Sequence, residues 1–352
     1  MPRELKFFQA VHEALDLCLD RYPSVYVMGL GVPDPKGVFG TTLGLQEKYG
    51  AERVLDMPTA ENGMTGIAIG SALVGMRPVM THQRVDFALL AMEQIVNQAA
   101  KWHYMFGGRA RVPLVIRLII GRGWGQGTQH SQSLQSWFAH VPGLKVVMPA
   151  TPADAKGLLI SSIEDDNPVL FFEHRWLHNI AGPVPPGLAR TPLGKARVAR
   201  PGRDLTIVSV SHMTLEALRA AEALARDGVS AEVVDVRTLR PLDRATILAS
   251  VRKTGRLIVA DTGWPTAGFS AELLALVAES AFADLKAAPQ RVAQADCPMP
   301  STPALANACY PRHYDIAALA RRMLGRRPIR RPGRPPAAAP LDIPDDSFRG
   351  PF

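Results

Sequence analysis

The chain has 352 residues, of which 47% are hydrophobic and 20% are charged, as expected for a globular protein of about two domains. It has no apolar run long enough to span a bilayer, and charged residues interrupt its start, which argues against a signal peptide. The net charge is +8, of which the tail 326–352 carries +3; the rest is dispersed without a basic-aromatic stripe, which disfavours nucleic-acid binding. Three widely spaced cysteines, Cys18, Cys297 and Cys309, predict free thiols and a cytosolic protein.

The first half of the chain alternates between amphipathic helices and apolar strands. The spacing of apolar residues predicts helices over 4–20, 87–105 and 152–164, and strands over 25–30, 54–57, 78–81, 113–120, 144–148 and 169–173. Glycine-rich loops follow two of these strands. Strands that alternate with helices predict a parallel sheet that is covered on both faces.

A proline-rich segment separates this half from a second alternating unit. Residues 182–203 lack apolar periodicity, which predicts a linker. We therefore predict an α/β domain over 1–181, a linker over 182–203, a second α/β domain over 204–325, and an extended or disordered tail over 326–352. The predicted fold class is α/β, with two parallel-sheet domains that carry helices on both faces.

The stretch 54–70, VLDMPTAENGMTGIAIG, carries the first candidate functional residue. Thr59 is the predicted N-cap of a helix, and Glu61 lies in the first turn of that helix. Glycines follow at 63, 66 and 70, and each costs about 1 kcal/mol relative to alanine inside a helix. Close approach of a backbone or a flat ligand explains these residues. A carboxylate that complements the helix dipole, with glycines for tight packing, is the alternative.

Common catalytic fingerprints are missing from the sequence. The glycine-rich loops contain no G-x-G-x-x-G, and neither a GxxxxGK[ST] nor a G-x-S-x-G motif occurs. His174 and His178 are four residues apart but lack an HExxH pattern, so we interpret them as ordinary residues. Glu61, Phe87 and His130 instead follow successive strands, and the ligands of open α/β sheets bind at that edge. For Phe87 the alternative is core packing, and for His130 it is helix capping.

Several long motifs resemble the β subunit of the thiamine-diphosphate-dependent decarboxylating component of 2-oxo-acid dehydrogenases, of the pyruvate, acetoin and branched-chain type. The motifs of the first half are LDMPTAENGMTGIAIGSALVGMRPV, DFALLAMEQIVNQAAKWHYMFGG, QHSQSLQSWFAHVPGLKVVMPATPADAKGLL and DDNPVLFFE. Those of the second half are DVRTLRPLDRATILASVRKTGRLIVAD, GWPTAGFSAEL and ADCPMPSTPAL. The resemblance covers residues 4–325 and implies a pyrimidine-binding domain followed by a transketolase C-terminal-like domain.

The resemblance assigns chemistry to particular residues. Glu61 matches the glutamate that hydrogen-bonds the 1′ nitrogen of the cofactor's aminopyrimidine and thereby promotes loss of the thiazolium C2 proton. Phe87 matches the aromatic residue that packs on that ring, and Thr59 and Gln83 are further implied cofactor contacts. His130 matches the histidine that contacts the substrate carboxylate and assists acyl transfer to lipoamide.

The resemblance also implies a metal site and partner subunits. Leu114, Ser162, Asp165 and Asn167 resemble a structural potassium site; an ordinary Asp-Asn-Pro turn after a helix is the alternative. The family holds the cofactor's diphosphate and Mg²⁺ with a GDG motif, and no GDG occurs in this sequence. The resemblance therefore implies that an α subunit supplies that half of the site, in an α2β2 heterotetramer.

Three functions are compatible with these observations. The first is the β subunit of a 2-oxo-acid dehydrogenase that passes an acyl group to a lipoyl-bearing acyltransferase. The second is a split transketolase-like protein that transfers a ketol unit, and the third is a non-catalytic scaffold. The joint presence of Glu61, Phe87 and His130 argues against a scaffold. The segments 81–85 and 122–125 depart from the pyruvate-type pattern, so the sequence leaves the 2-oxo acid open.

Overall fold

The first half of the chain forms a mostly parallel sheet between helices. The computed structural model describes residues 3–123 and 126–327. The strands of this half are β1 (Glu4–Lys6), β2 (Val25–Gly29), β3 (Val54–Leu55), β4 (Arg77–His82), β5 (Val115–Ile120), β6 (Lys145–Val147), β7 (Val169–His174) and β8 (Ala181–Pro183). Its helices are α1 (Phe7–Arg21), α2 (Leu45–Tyr49), α3 (Glu61–Leu73), α4 (Val85–Ala88), α5 (Trp102–Met105), α6 (Gln135–His140) and α7 (Pro152–Glu164).

The second half repeats the alternation around a smaller sheet. Its strands are β9 (Arg197–Arg200), β10 (Leu205–Ser209), β11 (Ala231–Asp235), β12 (Thr238–Arg240), β13 (Leu257–Ala260) and β14 (Gln290–Val292). Its helices are α8 (His212–Arg226), α9 (Arg244–Thr254), α10 (Phe269–Ala281), α11 (Pro303–Cys309) and α12 (His313–Met323). The described residues include no helix with both the length and the apolar character needed to cross a bilayer.

In each sheet most strands are parallel, so their carboxyl ends lie along one edge of the sheet. The larger sheet has the order β12-β6-β7-β5-β4-β2-β3, in which only β12 runs antiparallel to its neighbour. The smaller sheet has the order β14-β13-β10-β11-β9, with β9 antiparallel at its edge. The predicted α/β fold class with helix-covered parallel sheets is thus confirmed.

The larger sheet separates two apolar layers because alternate side chains of each strand point to opposite faces. In β5, Ile116 and Leu118 join one layer, whereas Val115 and Ile119 join the layer beneath α1 and α7. The first layer continues into the second half, where Val234 of β11 belongs to it. The two halves therefore share a hydrophobic core.

The link between the halves is also made by backbone pairing. Strand β12 comes from the second half but pairs with β6 of the larger sheet, and the Met148 amide donates to the Arg237 carbonyl over 2.8 Å. The predicted linker 182–203 contains the edge strand β9. The two sheets are thus joined by strands, not only by a flexible connection.

Two local predictions differ from the structure. Ala60, not Thr59, is the N-cap of α3, because its backbone is not helical and its carbonyl accepts the first helical hydrogen bond, from the Met64 amide over 2.9 Å. The single helix predicted over 87–105 is divided into α4, a 3₁₀ turn, a π-helix over Gln94–Ala99 and α5, since apolar spacing does not distinguish these windings.

Candidate active site at the carboxyl edge of the larger sheet

The candidate residues lie on segments that leave the same edge of the larger sheet. Strands β3, β2, β4 and β5 are parallel and follow one another in space as β5-β4-β2-β3. Glu61 begins α3 after β3, Phe87 lies in α4 after β4, and His130 ends a 3₁₀ turn after β5. The edge matches the general location of ligand sites in open α/β sheets.

Glu61 is a buried carboxylate at the N-terminus of α3. Its exposed fraction is 7%, although Thr59, Ala60 and Asn62 around it are exposed. Among the described residues, the Glu61 carboxylate has no hydrogen-bond or ion-pair partner. The free N–H groups of the first helical turn favour a negative charge there. The carboxylate is therefore available to an N–H donor of a bound ligand.

Phe87 and His130 come together from different strand ends. Their ring centroids are 5.4 Å apart with an interplanar angle of 86°, so the rings meet edge to face. Both side chains are half-buried. An aromatic face and a titratable imidazole thus border the same space at the sheet edge.

Asp86 and Gln132 extend this cluster. The Gln132 amide Nε2 donates to Asp86 Oδ1 over 2.7 Å, and Asp86 Oδ2 is buried without a partner among the described residues. Burial raises the pKa of Asp86, while the hydrogen bond from Gln132 and the nearby His130 oppose the shift. The sequence reasoning missed both residues, although each lies within two positions of a predicted one.

Gln83 supports the glycine-rich loop after β2. Its Nε2 donates to the Leu30 carbonyl over 2.9 Å, and the next amide, Gly31, donates to Asp56 Oδ1 over 2.9 Å. Gly31 has a φ of +70°, and a Cβ there would lie 2.8 Å from Gln83 Nε2. Gln83 therefore positions this loop at the candidate site, whereas Thr59 is exposed.

Arg84 fixes the second glycine-rich loop from within the first half. Its buried guanidinium donates from Nη1 to the Gly121 carbonyl over 2.7 Å and from Nη2 to Gln126 Oε1. Burial lowers the pKa of Arg84 to about 10. Trp124 and Gly125, which belong to the segment that departs from the pyruvate-type pattern, lie outside the described residues.

Arg122 ties the same loop to the second half of the chain. Its backbone amide donates to Tyr310 Oη over 3.1 Å, and its guanidinium donates to the carbonyls of Gln126 and Ser301. The segment that precedes His130 is therefore held by residues of both halves. This contact joins positions far apart in sequence, so apolar periodicity gave no signal for it.

Comparisons with known proteins agree with this architecture. The profile of the transketolase pyrimidine-binding domain matches residues 3–179, and that of the transketolase C-terminal domain matches residues 194–316. The β subunit of acetoin:2,6-dichlorophenolindophenol oxidoreductase from Cupriavidus necator is 44% identical over 334 residues, which cover 92% of this chain and 98% of the relative. The mitochondrial pyruvate dehydrogenase E1 component subunit β-2 of Oryza sativa is 43% identical over 91% of this chain and 86% of its own. The chain is a member of the pyruvate and acetoin dehydrogenase β-subunit family.

A solved structure with lower sequence identity also has a fold similar to that of this chain. A structure described as split gene transketolase, an inactive beta4 tetramer, has a TM-score of 0.76 and 25% sequence identity. It covers 91% of this chain and 99% of that chain. The dehydrogenase β subunits are therefore more similar in sequence than this transketolase.

One turn of the chain resembles a potassium site. Cationic side chains of the same chain contact this turn. Arg77 Nη1 donates to the carbonyls of Ile163 and Asp165, each over 3.0 Å, and Lys145 pairs with the Asp165 carboxylate. The Leu114 carbonyl accepts from the Val169 amide over 2.9 Å, the Ser162 hydroxyl donates to the Leu158 carbonyl, and the Asn167 amide donates to Asp165. A potassium ion would have to displace donors here, and the potassium site stays a prediction.

Proposed function

We propose that the chain is the β subunit of a thiamine-diphosphate-dependent 2-oxo-acid dehydrogenase, and that it provides the pyrimidine side of an active site shared with an α subunit. The observation that carries this proposal is the buried Glu61 carboxylate, which begins α3 and has no partner among the described residues. A buried acid that has no partner among the described residues can hydrogen-bond a ligand that presents a ring nitrogen and an amino group. Membership in the β-subunit family supports the same assignment.

Glu61 would hold a proton between its carboxyl group and the N1′ atom of the aminopyrimidine. When bound, thiamine diphosphate supplies the nucleophilic carbon and the electron sink that decarboxylation requires. Most of the Glu61 side chain is shielded from water, and a hydrogen bond is stronger in such surroundings than in open solvent. Phe87 would pack against the ring and fix its plane, with Asp86 and Gln132 behind it.

His130 would act on the substrate side of the site. Its edge-to-face contact with Phe87 keeps the imidazole next to the proposed pyrimidine position. An imidazole there is suited to bind a substrate carboxylate and to transfer a proton during acyl transfer to a lipoyl carrier. The anchors of the preceding loop, Arg84 and Arg122, limit its movement.

An exposed face of α3 supports the requirement for a partner. Ile67 and Val74 are 59% and 83% exposed, and they share one helical face with Gly63 and Gly70. Apart from the helix's own backbone, no atom of the described residues lies within 4 Å of a Cβ built on either glycine. The close backbone approach predicted for these glycines is not made within the described chain. We propose that the α subunit covers this face, in an α2β2 heterotetramer located in the cytosol.

A ketol-transferring split transketolase is the second candidate, and the solved split-gene transketolase favours it. The two functions differ in the acceptor of the two-carbon or acyl unit. A dehydrogenase passes its acyl group to a lipoyl domain, whereas a transketolase passes a ketol unit to an aldose. Incubating the chain and its α subunit with either acceptor, across a panel of 2-oxo acids, separates the two functions and identifies the substrate.

The proton role is tested with Glu61→Gln in the complex with the α subunit. We expect the exchange rate of the C2 proton of bound thiamine diphosphate to fall at least ~100-fold, because the variant lacks the acid–base group. Glu222→Gln is the matched control, since Glu222 is exposed on α8. Unchanged exchange in Glu61→Gln, with cofactor bound, would remove the proposed role.

A further inference from the structure

Two cysteines of the second half are adjacent in space. Cys297 Sγ and Cys309 Sγ are 3.7 Å apart, and both are free thiols. The backbone supports this pairing, because the Ala295 amide donates to the Cys309 carbonyl over 3.0 Å and the Cys297 amide donates to the Ala295 carbonyl over 2.8 Å. A disulfide bond is about 2.05 Å long, so the sulfurs need to approach by about 1.7 Å.

The pair is accessible to small reagents, unlike the third cysteine. Cys297 is half-buried, and Cys309 lines an open cavity of about 510 Å³ together with Arg291 and Arg322. Burial raises the pKa of Cys309 to about 11, which favours a resolving role over the first attack on an oxidant. Cys18 is fully buried in α1, and burial raises the pKa of its thiol to about 12.

The segment between the two cysteines contacts the loop that leads to His130. The Ser301 carbonyl accepts from the Arg122 guanidinium, and a Cβ on Gly127 would lie 2.2 Å from Ser301 Oγ. Tyr310, which directly follows Cys309, accepts a hydrogen bond from the Arg122 amide. A change at the sulfurs can therefore alter residues 121–123 and 126–130 through the contacts of Ser301 and Tyr310.

We propose that Cys297 and Cys309 form a reversible dithiol–disulfide pair that reacts with hydroperoxides and, when oxidised, restrains the loop residues 121–123 and 126–130. The Cys297 thiolate attacks a peroxide oxygen, forming an S–O bond as the O–O bond breaks and water leaves after protonation. Cys309 sulfur then attacks Cys297 sulfur; the S–S bond forms, the S–O bond breaks, and the Cys309 proton leaves with the hydroxide as a second water. Hydrogen peroxide is thus reduced by two electrons, and a dithiol reductant reverses the bond.

The bond itself is tested by mass spectrometry of the full-length chain after treatment with hydrogen peroxide. Residues 292–311 contain no lysine or arginine, so trypsin releases both cysteines in the one peptide 292–312. We expect this peptide to lose the mass of two hydrogen atoms and to resist alkylation, and dithiothreitol to restore two alkylation sites. Wild-type protein suffices for this measurement, so it does not depend on how a variant folds.

Variants separate the pair from other thiol chemistry. Cys18→Ser should retain the oxidised peptide, whereas Cys297→Ser and Cys309→Ser should lose it. Sulfinic acid on one cysteine, or disulfides between chains in place of the internal one, would overturn the proposal.

The effect on the loop is tested by amide hydrogen exchange. We expect exchange of residues 121–123 and 126–130 to slow at least about threefold in the oxidised wild-type chain, since closing the 297–309 segment restricts the residues that contact them. Peroxide should leave this exchange unchanged in Cys297→Ser. An internal disulfide with unaltered exchange at 121–123 and 126–130 would refute the coupling. Neither readout requires decarboxylation, so the outcome is independent of the proposed reaction.

Discussion

At the scale of single residues, the candidate site combines an acid that has no partner among the described residues and an imidazole with an aromatic neighbour. Glu61 is buried by the start of α3, while His130 and Phe87 meet from two strand ends. Glu61 lies on the side proposed for the cofactor, and His130 lies on the side proposed for the substrate. The two residues can therefore have distinct tasks. Each residue is then expected to affect a different step.

We predict that His130→Ala leaves thiamine diphosphate affinity unchanged but slows acyl transfer to a lipoyl domain about 100-fold, the scale of a lost general acid or base. Isothermal titration of the complex measures the affinity, and a lipoyl-domain acylation assay measures the transfer. His140→Ala, at an exposed position of α6, is the control. A variant that lost cofactor affinity alone would contradict the assignment of His130 to the substrate side.

At the scale of elements, the sequence predicts regular helices and strands well where local signals agree. Helix α7 begins and ends where its pattern predicts, because Thr151 caps it and Pro152 occupies its first position. The 87–105 region was less predictable, since its winding depends on tertiary contacts: a Cβ on Gly143 would lie 1.9 Å from the Ala100 carbonyl. The short helix α11 was missed because seven residues give no clear period.

The same limit applies to the candidate site. Glu61, Phe87 and His130 were selected from their positions after strands and from the family resemblance, both of which are readable along the chain. Asp86 and Gln132, and the Arg122–Tyr310 contact, depend on which distant segments meet. A single sequence does not specify which distant segments are in contact, so these supporting polar groups were identified only from the structure.

Helix α3 begins at Glu61, and its exposed face is the proposed contact with the α subunit, which gives a prediction at this scale. We predict that Ile67→Asp prevents association with the α subunit, because a carboxylate would be buried without a partner in the interface. Sedimentation of the mixed subunits measures association, and circular dichroism checks that the chain remains folded. Val198→Asp, on the exposed edge strand β9, is the control and should still assemble. Assembly of Ile67→Asp at wild-type affinity would place the partner elsewhere.

At the scale of the whole molecule, ionic contacts join the two halves beside the strand pairing. Asp154 of α7 pairs with Arg237 over 3.0 Å and with Arg197 over 3.2 Å, and Arg197 also lies 3.4 Å from Asp235 of β11. Asp235 is fully buried and faces Asp154, and Thr214 donates a hydrogen bond to it. The two carboxylates thus share Arg197 as an ionic partner at this junction.

This junction makes stability depend on pH through Asp235. Burial, reinforced by the Asp154 carboxylate and opposed by Arg197 and Arg237, raises the pKa of Asp235 from 3.8 to about 7. A raised pKa means that the folded chain retains a proton that the unfolded chain has lost. The stabilisation from this group is therefore complete below pH 3.8 and is lost as pH rises toward 7.

We predict that Asp235→Asn removes this loss, since the amide does not ionise. Between about pH 5 and about pH 8, the free energy of unfolding of the variant should rise by about 2 kcal/mol relative to the wild-type chain. Urea titrations of both proteins at the two pH values measure this difference. The buried histidines titrate in both proteins, so their contribution to the free energy of unfolding cancels when the two values are subtracted. Asp284→Asn, at an exposed position, should instead keep a constant offset from wild type. Parallel pH profiles for Asp235→Asn and wild type would mean that Asp235 is ionised in the folded chain throughout this range, with the arginines outweighing its burial.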